Sequence, residues 1–417
     1  MRGKRIRAAW AAVLATVSLV ASACGAARPM PNPATGVSAP LKVLVFYDDR
    51  AEAPTHTLLS LIAANRSAIW ELAPLWYAVQ PNGSVRDTSE ADVKDFARSN
   101  HILLMPLVVN AGGTSSFLLG AGSCTSGACA QAVSNLVAIV RNQGYDGLNI
   151  DFELLKTGAR SGLTAFVNQL HQRLRAMHKV LTVDVIPAGS RRQAAGAYDF
   201  PALARDSDDI VLMTYDAHDD TSAPGPIAPL AWVTKRVNVA LQQGVAPSHL
   251  ILGLADYGYD WTTSGHHGVT IGLKQVDALI AGKGIHVMRT ADGSPHFTYG
   301  GGAHVVWYED QVSIVPKIEL ARKDHLKALA LWMAGYETAA YWNALRAAAA
   351  GQPASGAARG ASASGGAVGS GSGSASGPPT SSGTGGSSSR APSSSSASGS
   401  SGSGAGTGSA AESSSAS

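Results

Sequence analysis

The sequence predicts an α/β protein folded as a (β/α)8 (TIM) barrel, with a small α+β insertion between the seventh and eighth strands. Three observations predict this fold. Eight short apolar runs follow one another between residues 41 and 352, and several are almost continuous in Val, Ile and Leu, as in parallel strands covered on both faces. Amphipathic helical segments separate the runs. One gap between runs is too long for a single crossover.

Each barrel strand is predicted from one apolar run. In chain order the runs are Val43–Tyr47, Ala68–Ala78, Ile102–Val109, Gly147–Phe152, Leu181–Ile186, Asp209–Thr214, Leu250–Leu254 and Ala328–Trp332. Ala130–Asn142, Gly162–His178 and Leu230–Gln243 are typical of the helices between them. Eight runs with helices between them favour a closed barrel over an open sheet, although the count alone does not decide between the two.

The long gap lies between the seventh and eighth runs. It extends from Asp260 to Lys327 and contains two strand-like patches, Ile285–Arg289 and His304–Tyr308. We therefore predict a small α+β insertion at about residues 261–326.

Both ends of the chain differ in composition from its middle. Residues 1–23 combine a basic start with the apolar run Ala8–Ala23, which is typical of an export signal and short for a membrane span. Residues 24–40 are predicted as a Pro-rich tether. Residues 353–417 are predicted as a disordered Ser/Gly-rich tail, since 41 of the 63 residues from Ser355 onward are Gly or Ser.

Cleavage of the export signal has two interpretations. The segment Val20-Ala-Ser-Ala-Cys24 resembles a bacterial lipobox, which predicts that Cys24 is acylated and anchors the protein to a membrane. Ala21-Ser22-Ala23 also fits ordinary signal-peptidase cleavage. The two interpretations predict a cell-envelope lipoprotein in the periplasm or outer membrane, or a secreted protein.

The net charge of +3 arises from the export signal. Without its four basic residues, the chain carries 28 Lys and Arg against 29 Asp and Glu. Because no basic stripe is present, we expect no nucleic-acid partner.

Cys124 and Cys129 lie five residues apart in a Gly/Ser-rich stretch. In an oxidising compartment we expect a local disulfide or free thiols there rather than a metal site.

The segment Gly144-Tyr-Asp-Gly-Leu-Asn-Ile-Asp-Phe-Glu153 is where the sequence is most informative about chemistry. In a strand, Asn149, Asp151 and Glu153 share one face. This face then carries two carboxyl groups at the C-terminal end of a barrel strand, where active sites of such barrels lie. Burial of adjacent carboxyl groups favours a protonated form, which can serve as a general acid.

Asp146-x-x-Asn149-x-Asp151-x-Glu153 resembles the Asp-x-x-Asp-x-Asp-x-Glu signature of glycoside hydrolase family 18, the chitinase family. Further matches are Met213-Thr-Tyr-Asp216, the seventh-strand segment Leu252–Trp261 and Trp332 in the eighth strand. Asn149 replaces the middle aspartate of the signature. With segments such as Tyr257-Gly-Tyr-Asp-Trp261, this is similar to the spore-germination N-acetylglucosaminidases that act on peptidoglycan.

The resemblance implies substrate-assisted hydrolysis with retention. Its catalytic residues are Glu153 as acid and base, Asp151 as the partner of the substrate's acetamido group, and Tyr215 as a hydrogen-bond donor to that group. The residues implied in substrate binding are Asn149, Met213, Asp216, Tyr257 and Trp332. Asn149 cannot ionise, so a proton transfer between neighbouring aspartates cannot use this position, and we predict a narrower or shifted pH optimum.

These observations predict an exported glycosidase that cleaves β-1,4 bonds next to N-acetylglucosamine, with peptidoglycan slightly favoured over chitin as substrate. The partner is therefore an N-acetylglucosamine-containing polysaccharide, and no cofactor or metal is expected. We expect a monomer. Two alternatives are a chitinase proper and a non-catalytic chitin- or wall-binding lectin on the same barrel.

Overall fold

The computed structural model describes residues 39–48, 54–111, 123–190, 196–263, 265 and 267–354. The predicted export signal, Cys24, most of the predicted tether and the tail from residue 355 lie outside the described residues. Among the described helices, none is long and apolar enough to cross a membrane.

Strands and helices alternate through most of this chain. The strands are β1 (Val43–Tyr47), β2 (Ile69–Val79), β3 (Val85–Asp87), β4 (Leu103–Leu104), β5 (Leu107–Asn110), β6 (Gly147–Asp151), β7 (Val180–Val185), β8 (Asp209–Leu212), β9 (Leu250–Ala255), β10 (Tyr257–Thr262), β11 (Gly268–Gly272), β12 (Met288–Arg289), β13 (Pro295–Tyr299), β14 (His304–Tyr308) and β15 (Ala328–Trp332). The helices are α1 (Thr55–Ala64), α2 (Ala91–Ser99), α3 (Gly127–Gln143), α4 (Arg160–Arg175), α5 (Phe200–Arg205), α6 (Leu230–Gln242), α7 (Leu273–Lys283), α8 (Val315–Lys323) and α9 (Ala339–Ala349).

The predicted barrel is confirmed. Parallel neighbours follow the order β1-β15-β9-β8-β7-β6-β5-β2, and pairing of β1 with β2 closes the ring. All five residues of β1 are buried, as expected for a strand covered by barrel interior on one face and helices on the other. Helix α4 is an example of the helices that cover the outer face of the barrel. Its Phe166 stacks on Phe152, which follows β6, at a ring-centroid distance of 5.2 Å.

The third barrel strand was predicted as one continuous strand over Ile102–Val109, and the structure differs from this prediction. It is divided into β4 and β5, which flank Met105 and Pro106. Proline has no N–H to donate to a neighbouring strand, so the ladder is interrupted there. The pairing of β2 with β5 also shifts register between Leu75 and Tyr77.

The insertion between the seventh and eighth barrel strands begins earlier than the predicted residue 261. After β9 the chain passes through Asp256 directly into β10, which pairs antiparallel with β11 and β14. With β12 and β13, these strands form a separate five-stranded sheet in the order β11-β10-β14-β13-β12, with α7 between β11 and β12. The patch predicted at Ile285–Arg289 reduces to β12, whose two residues are exposed, whereas β14 has its predicted bounds.

Two glycines set the start of β6, the strand that carries the acidic motif. Gly144 ends α3 in the left-handed region, with φ of 70°, which costs glycine little. Gly147 lies so close to β7 that a Cβ atom would come within 2.1 Å of the Val180 carbonyl oxygen. Replacing Gly147 would therefore push apart the two strands that form the acidic side of the barrel mouth.

Candidate active site

Strand β6 delivers the acidic residues to the C-terminal mouth of the barrel. Asp151 is its last residue and is buried, whereas Glu153 follows it and is half-buried. The backbone N–H of Glu153 donates to Oδ1 of Asn110 at 2.8 Å, and Nδ2 of Asn110 donates to the Glu153 carbonyl oxygen at 3.0 Å. These two bonds fix the chain after β6 against the end of β5, and thereby position Glu153.

A cavity of about 260 Å³ opens at this mouth. Seven of the eight residues predicted for catalysis or substrate binding line it: Asp151, Glu153, Met213, Tyr215, Asp216, Tyr257 and Trp332. They come from β10, β15, the end of β6 with the residues after it, and the turn after β8, so the fold brings together residues that are up to 181 positions apart in sequence.

Asn149 is the exception among the predicted substrate-binding residues. Its side chain is fully buried, and it lines neither this cavity nor the second one described below. It lies two residues before Asp151 on the same face of β6, and therefore deeper in the barrel. Asn149 can influence the site only through neighbouring side chains, since substrate in these cavities does not reach it.

The electrostatics of Asp151 are set by burial. Burial raises the pKa of this carboxyl well above its ordinary value, and the neighbouring Glu153 carboxyl raises it further. Like charges so close together cannot both ionise easily, so Asp151 tends to keep a proton at pH values where an exposed aspartate has lost it.

Three tyrosines, Tyr215, Tyr257 and Tyr259, also line this cavity. The Tyr257 hydroxyl donates to Oδ1 of Asp216 at 2.6 Å, and the Tyr259 hydroxyl donates to the same oxygen at 3.1 Å. Tyr215 meets Tyr257 edge to face at a centroid distance of 6.3 Å. Burial, together with Asp184 and Asp151, raises the pKa of Tyr215, so its hydroxyl stays protonated and able to donate.

Trp332 forms the apolar floor. Its indole packs against Phe46 at a centroid distance of 5.2 Å and is half-buried. The following peptide bond is cis, and the N–H of Met333 donates to Oδ1 of the buried Asp256 at 2.8 Å. A flat ring held in this way is a surface on which a pyranose can stack.

A second cavity, of about 470 Å³, adjoins the first at the acidic residues. It shares Asp151, Glu153 and Trp332 with the first cavity. Its other walls include Trp76 and Arg86, the second of which is exposed. Glu153 therefore stands between two spaces, each large enough to hold part of a ligand.

The first cavity is strongly acidic. Five carboxyl groups line it, from Asp48, Asp151, Glu153, Asp184 and Asp216, and no Lys or Arg is found among its described lining residues. Such a wall favours positive charge that develops in a bound molecule and disfavours anionic ligands. In the described part of the chain, no group of three or more His, Cys, Asp or Glu side chains is arranged to hold a metal ion.

Asp184 was not predicted as a site residue. This residue lies in β7, is 2% exposed and lines the first cavity beside Asp151. The signal was present in the sequence, because Asp184 is a charged residue inside the otherwise apolar run Leu181–Ile186. Thr270 and Tyr336 of the first cavity, and Asn110 and Arg86 of the second, were also not assigned to the site.

Cys124 and Cys129 form a disulfide with a Cα–Cα distance of 5.1 Å. It joins the start of α3 to the segment before it, and both cysteines are buried. The predicted lipidation site, Cys24, lies outside the described residues.

Comparison with known proteins gives the family. The sequence profile described as Glycosyl hydrolases family 18 matches residues 75–337. A Bacillus subtilis glycosylase named as sporulation-specific, YdhD, is 28% identical over 268 residues, which cover 61% of this chain and 63% of that protein. The cortical fragment-lytic enzyme of Bacillus anthracis is 23% identical over 303 residues, covering 69% and 70%.

Among solved structures, a chitinase from Chromobacterium violaceum superimposes with a TM-score of 0.66 at 27% identity, covering 74% of this chain and 98% of that one. The chain thus spans slightly less than two thirds of the length of YdhD and nearly all of the Chromobacterium structure. Because the profile match extends over more than half of the sequence and contains the acidic mouth of the barrel, the chain belongs to glycosyl hydrolase family 18.

Proposed function

We propose that this protein hydrolyses β-1,4 glycosidic bonds next to N-acetylglucosamine by a substrate-assisted mechanism with retention. The observation that carries the proposal is the meeting of Glu153, Asp151 and Tyr215 on one cavity with a tryptophan floor. This set provides an acid, a charge-stabilising partner and a hydrogen-bond donor around a space where a sugar can stack.

The first step breaks the glycosidic bond. Glu153 gives its proton to the leaving oxygen, while the carbonyl oxygen of the substrate's own acetamido group attacks the anomeric carbon. Asp151 accepts a hydrogen bond from the acetamido N–H and stabilises the positive charge of the oxazolinium ion that forms. The protonated hydroxyl of Tyr215 donates to the acetamido oxygen and orients it for attack.

The second step releases the sugar. Glu153, now a carboxylate, takes a proton from water, and the hydroxide attacks the anomeric carbon on the face opposite the acetamido oxygen. Two displacements on the same carbon retain its configuration. Asp216, held by Tyr257 and Tyr259, positions the sugar through both steps.

The charges of the two cavities favour peptidoglycan over chitin as substrate. The five carboxyl groups of the first cavity suit a neutral N-acetylglucosamine and repel the lactyl carboxylate of N-acetylmuramic acid. Arg86 on the second cavity can pair with that carboxylate on the adjoining sugar. A chitinase proper remains the nearest alternative, since chitin places neutral sugars in both cavities.

The position of Glu153 between the cavities also favours cleavage inside a chain. Sugars can occupy both sides of the scissile bond, and both cavities are open to solvent. We further propose that the protein is exported, is anchored through an acylated Cys24 and acts as a monomer. Loss of radiolabelled palmitate incorporation in Cys24→Ser would support the anchor, and equal labelling would contradict it.

Mass spectrometry of products from purified peptidoglycan and from chitin hexamers, digested in parallel, tests the activity. The proposal expects fragments ending in N-acetylglucosamine from peptidoglycan, and their loss in Glu153→Gln. Glu319→Gln, an exposed glutamate on α8, is the matched control and should keep full activity. If wild type and Glu153→Gln are equally inert while both bind the polymer, the lectin alternative replaces the enzyme.

A further inference from the structure

Strand β7 places a third carboxyl group against the two that the proposed mechanism uses. Asn149 pairs with Thr182 and Ile150 pairs with Val183, so the next residues along these parallel strands, Asp151 and Asp184, are neighbours. Paired residues of adjacent strands point to the same side of a sheet and lie on the order of 5 Å apart. Both side chains therefore enter the first cavity side by side.

Each of the two carboxyl groups has one buried oxygen without a hydrogen-bond partner in the described part of the chain. Oδ1 of Asp151 and Oδ1 of Asp184 are both buried and have no hydrogen-bond partner among the described residues. Two buried carboxylates with free oxygens repel each other, whereas a single proton shared between them removes the repulsion and satisfies one oxygen of each.

The other groups that face Asp184 are acidic or neutral. They are the carboxyl groups of Glu71, Asp151 and Glu153, the phenols of Tyr198 and Tyr215, and the amide of Asn149. Burial, then Asp151 and Glu71, raise the pKa of Asp184 well above its ordinary value, and the nearby amide of Asn149 only partly opposes this rise. No lysine or arginine is present in this set to hold Asp184 permanently as an anion.

We propose that Asp184 is a positioning residue that shares one proton with Asp151 and takes it when substrate binds. The proton leaves a carboxyl oxygen of Asp151 and bonds to a carboxyl oxygen of Asp184, so the negative charge moves from Asp184 to Asp151 and no other bond changes. Asp151 is then an anion facing the acetamido group, as the oxazolinium step requires. On product release the proton returns. This inference rests on the proposed function.

Asn149 lies near Asp184, and its buried amide has no hydrogen-bond partner among the described residues. The sequence alone indicated that Asn149 deprives Asp151 of an ionisable neighbour on its own strand. Asp184 supplies such a neighbour from β7, and the amide of Asn149 can hydrogen-bond to it. The proton partner of Asp151 therefore lies on the adjacent strand.

Steady-state kinetics of Asp184→Asn on a soluble N-acetylglucosamine oligomer, from pH 4 to pH 9, tests the inference. Asparagine keeps the shape of the side chain but cannot accept the proton. We expect kcat to fall at least about tenfold at pH 6, KM to change less than about threefold, and the acidic limb of the kcat profile to move to higher pH, because Asp151 must then ionise unaided.

The double variant Asn149→Asp/Asp184→Asn again places a carboxyl group near Asp151, now on β6 instead of β7. It should recover part of kcat and move the acidic limb back toward that of the wild type. Glu319→Gln is the control, since Glu319 is an exposed carboxyl on α8 that lines neither cavity, and its kinetics should match the wild type.

Thermal unfolding separates a proton partner from a structural residue. Because the folded-state pKa of Asp184 is raised, its contribution to stability is lost as pH rises, so Asp184→Asn should be at least as stable as the wild type at pH 8. Unchanged kinetics in Asp184→Asn, or a loss of kcat accompanied by a lower melting temperature, would overturn the inference. A wild type without hydrolytic activity would instead reject the proposed function.

Discussion

Replacing Glu71 with glutamine should make the protein more stable at alkaline pH. Glu71 lies in β2 with its side chain in the barrel interior, fully buried, and neither carboxyl oxygen has a hydrogen-bond partner among the described residues. The ammonium group of Lys327 is bonded to Asp209 at 2.6 Å and does not bond to Glu71. Burial, followed by the charge of Asp209, raises the pKa of Glu71 from 4.5 to about 8.

The expected magnitude follows from linkage between proton binding and folding. A carboxyl whose folded-state pKa is raised contributes stability that is complete below its unfolded pKa of 4.5 and is lost as pH rises through 8. With about 1.4 kcal/mol for each pKa unit, the wild type loses about 3 to 4 kcal/mol between pH 5 and pH 8 because of this group. Glutamine does not titrate, so the variant keeps that free energy.

Thermal and urea unfolding of wild type and Glu71→Gln, at half-unit steps from pH 5 to pH 8, measure the difference. We calculate the difference in melting temperature between Glu71→Gln and the wild type at each pH. At about 2 °C for each kcal/mol, this difference should increase by about 6 °C from pH 5 to pH 8. Glu319→Gln, at an exposed position, should show no such trend. A constant difference between Glu71→Gln and wild type across this range would show that Glu71 is not held with a raised pKa, and would refute the reasoning.

Four further variants test the site and the disulfide. Glu153→Gln should lower kcat about 1,000-fold with little change in polymer binding, measured by sedimentation with insoluble substrate. Tyr215→Phe should lower kcat about 100-fold, because it removes one donor to the reacting acetamido group; a change in KM alone would contradict this role. Arg86→Ala should raise KM about fivefold for peptidoglycan fragments and leave chitin oligomers unaffected, and equal effects on both substrates would reject pairing with a lactyl carboxylate. Cys124→Ser should lower the free energy of unfolding in urea by about 2 kcal/mol, which is the loop-closure value for a separation of 5 residues. Chemical reduction of the wild type should have the same effect.

The barrel and most of its site could be predicted from local patterns. Apolar runs identify strands that are buried on both faces, and β1, β14 and β15 have the bounds that their runs predict. The acidic alternation in β6 identifies Asp151 and Glu153, because the period of two in a strand assigns side chains to faces without reference to the rest of the fold.

Other elements depend on contacts that the sequence does not encode locally. The insertion begins at Tyr257 because β10 finds antiparallel partners in β11 and β14, of which β14 begins about 40 residues later in the chain. The interruption between β4 and β5 similarly reflects how Pro106 meets its neighbours across the sheet.

What the sequence determined alone was the type of chemistry: an acid and its acidic neighbour at the end of a barrel strand, with the segments that supply tyrosine and tryptophan. Only the tertiary structure decided which side chains share a cavity. Asp184 lies beside Asp151 and Asn149 falls below the cavity because strand register sets the depth of each residue in the barrel. Register is fixed by pairing between strands about 30 residues apart, and a side chain acquires its charge state only when that pairing has removed it from water.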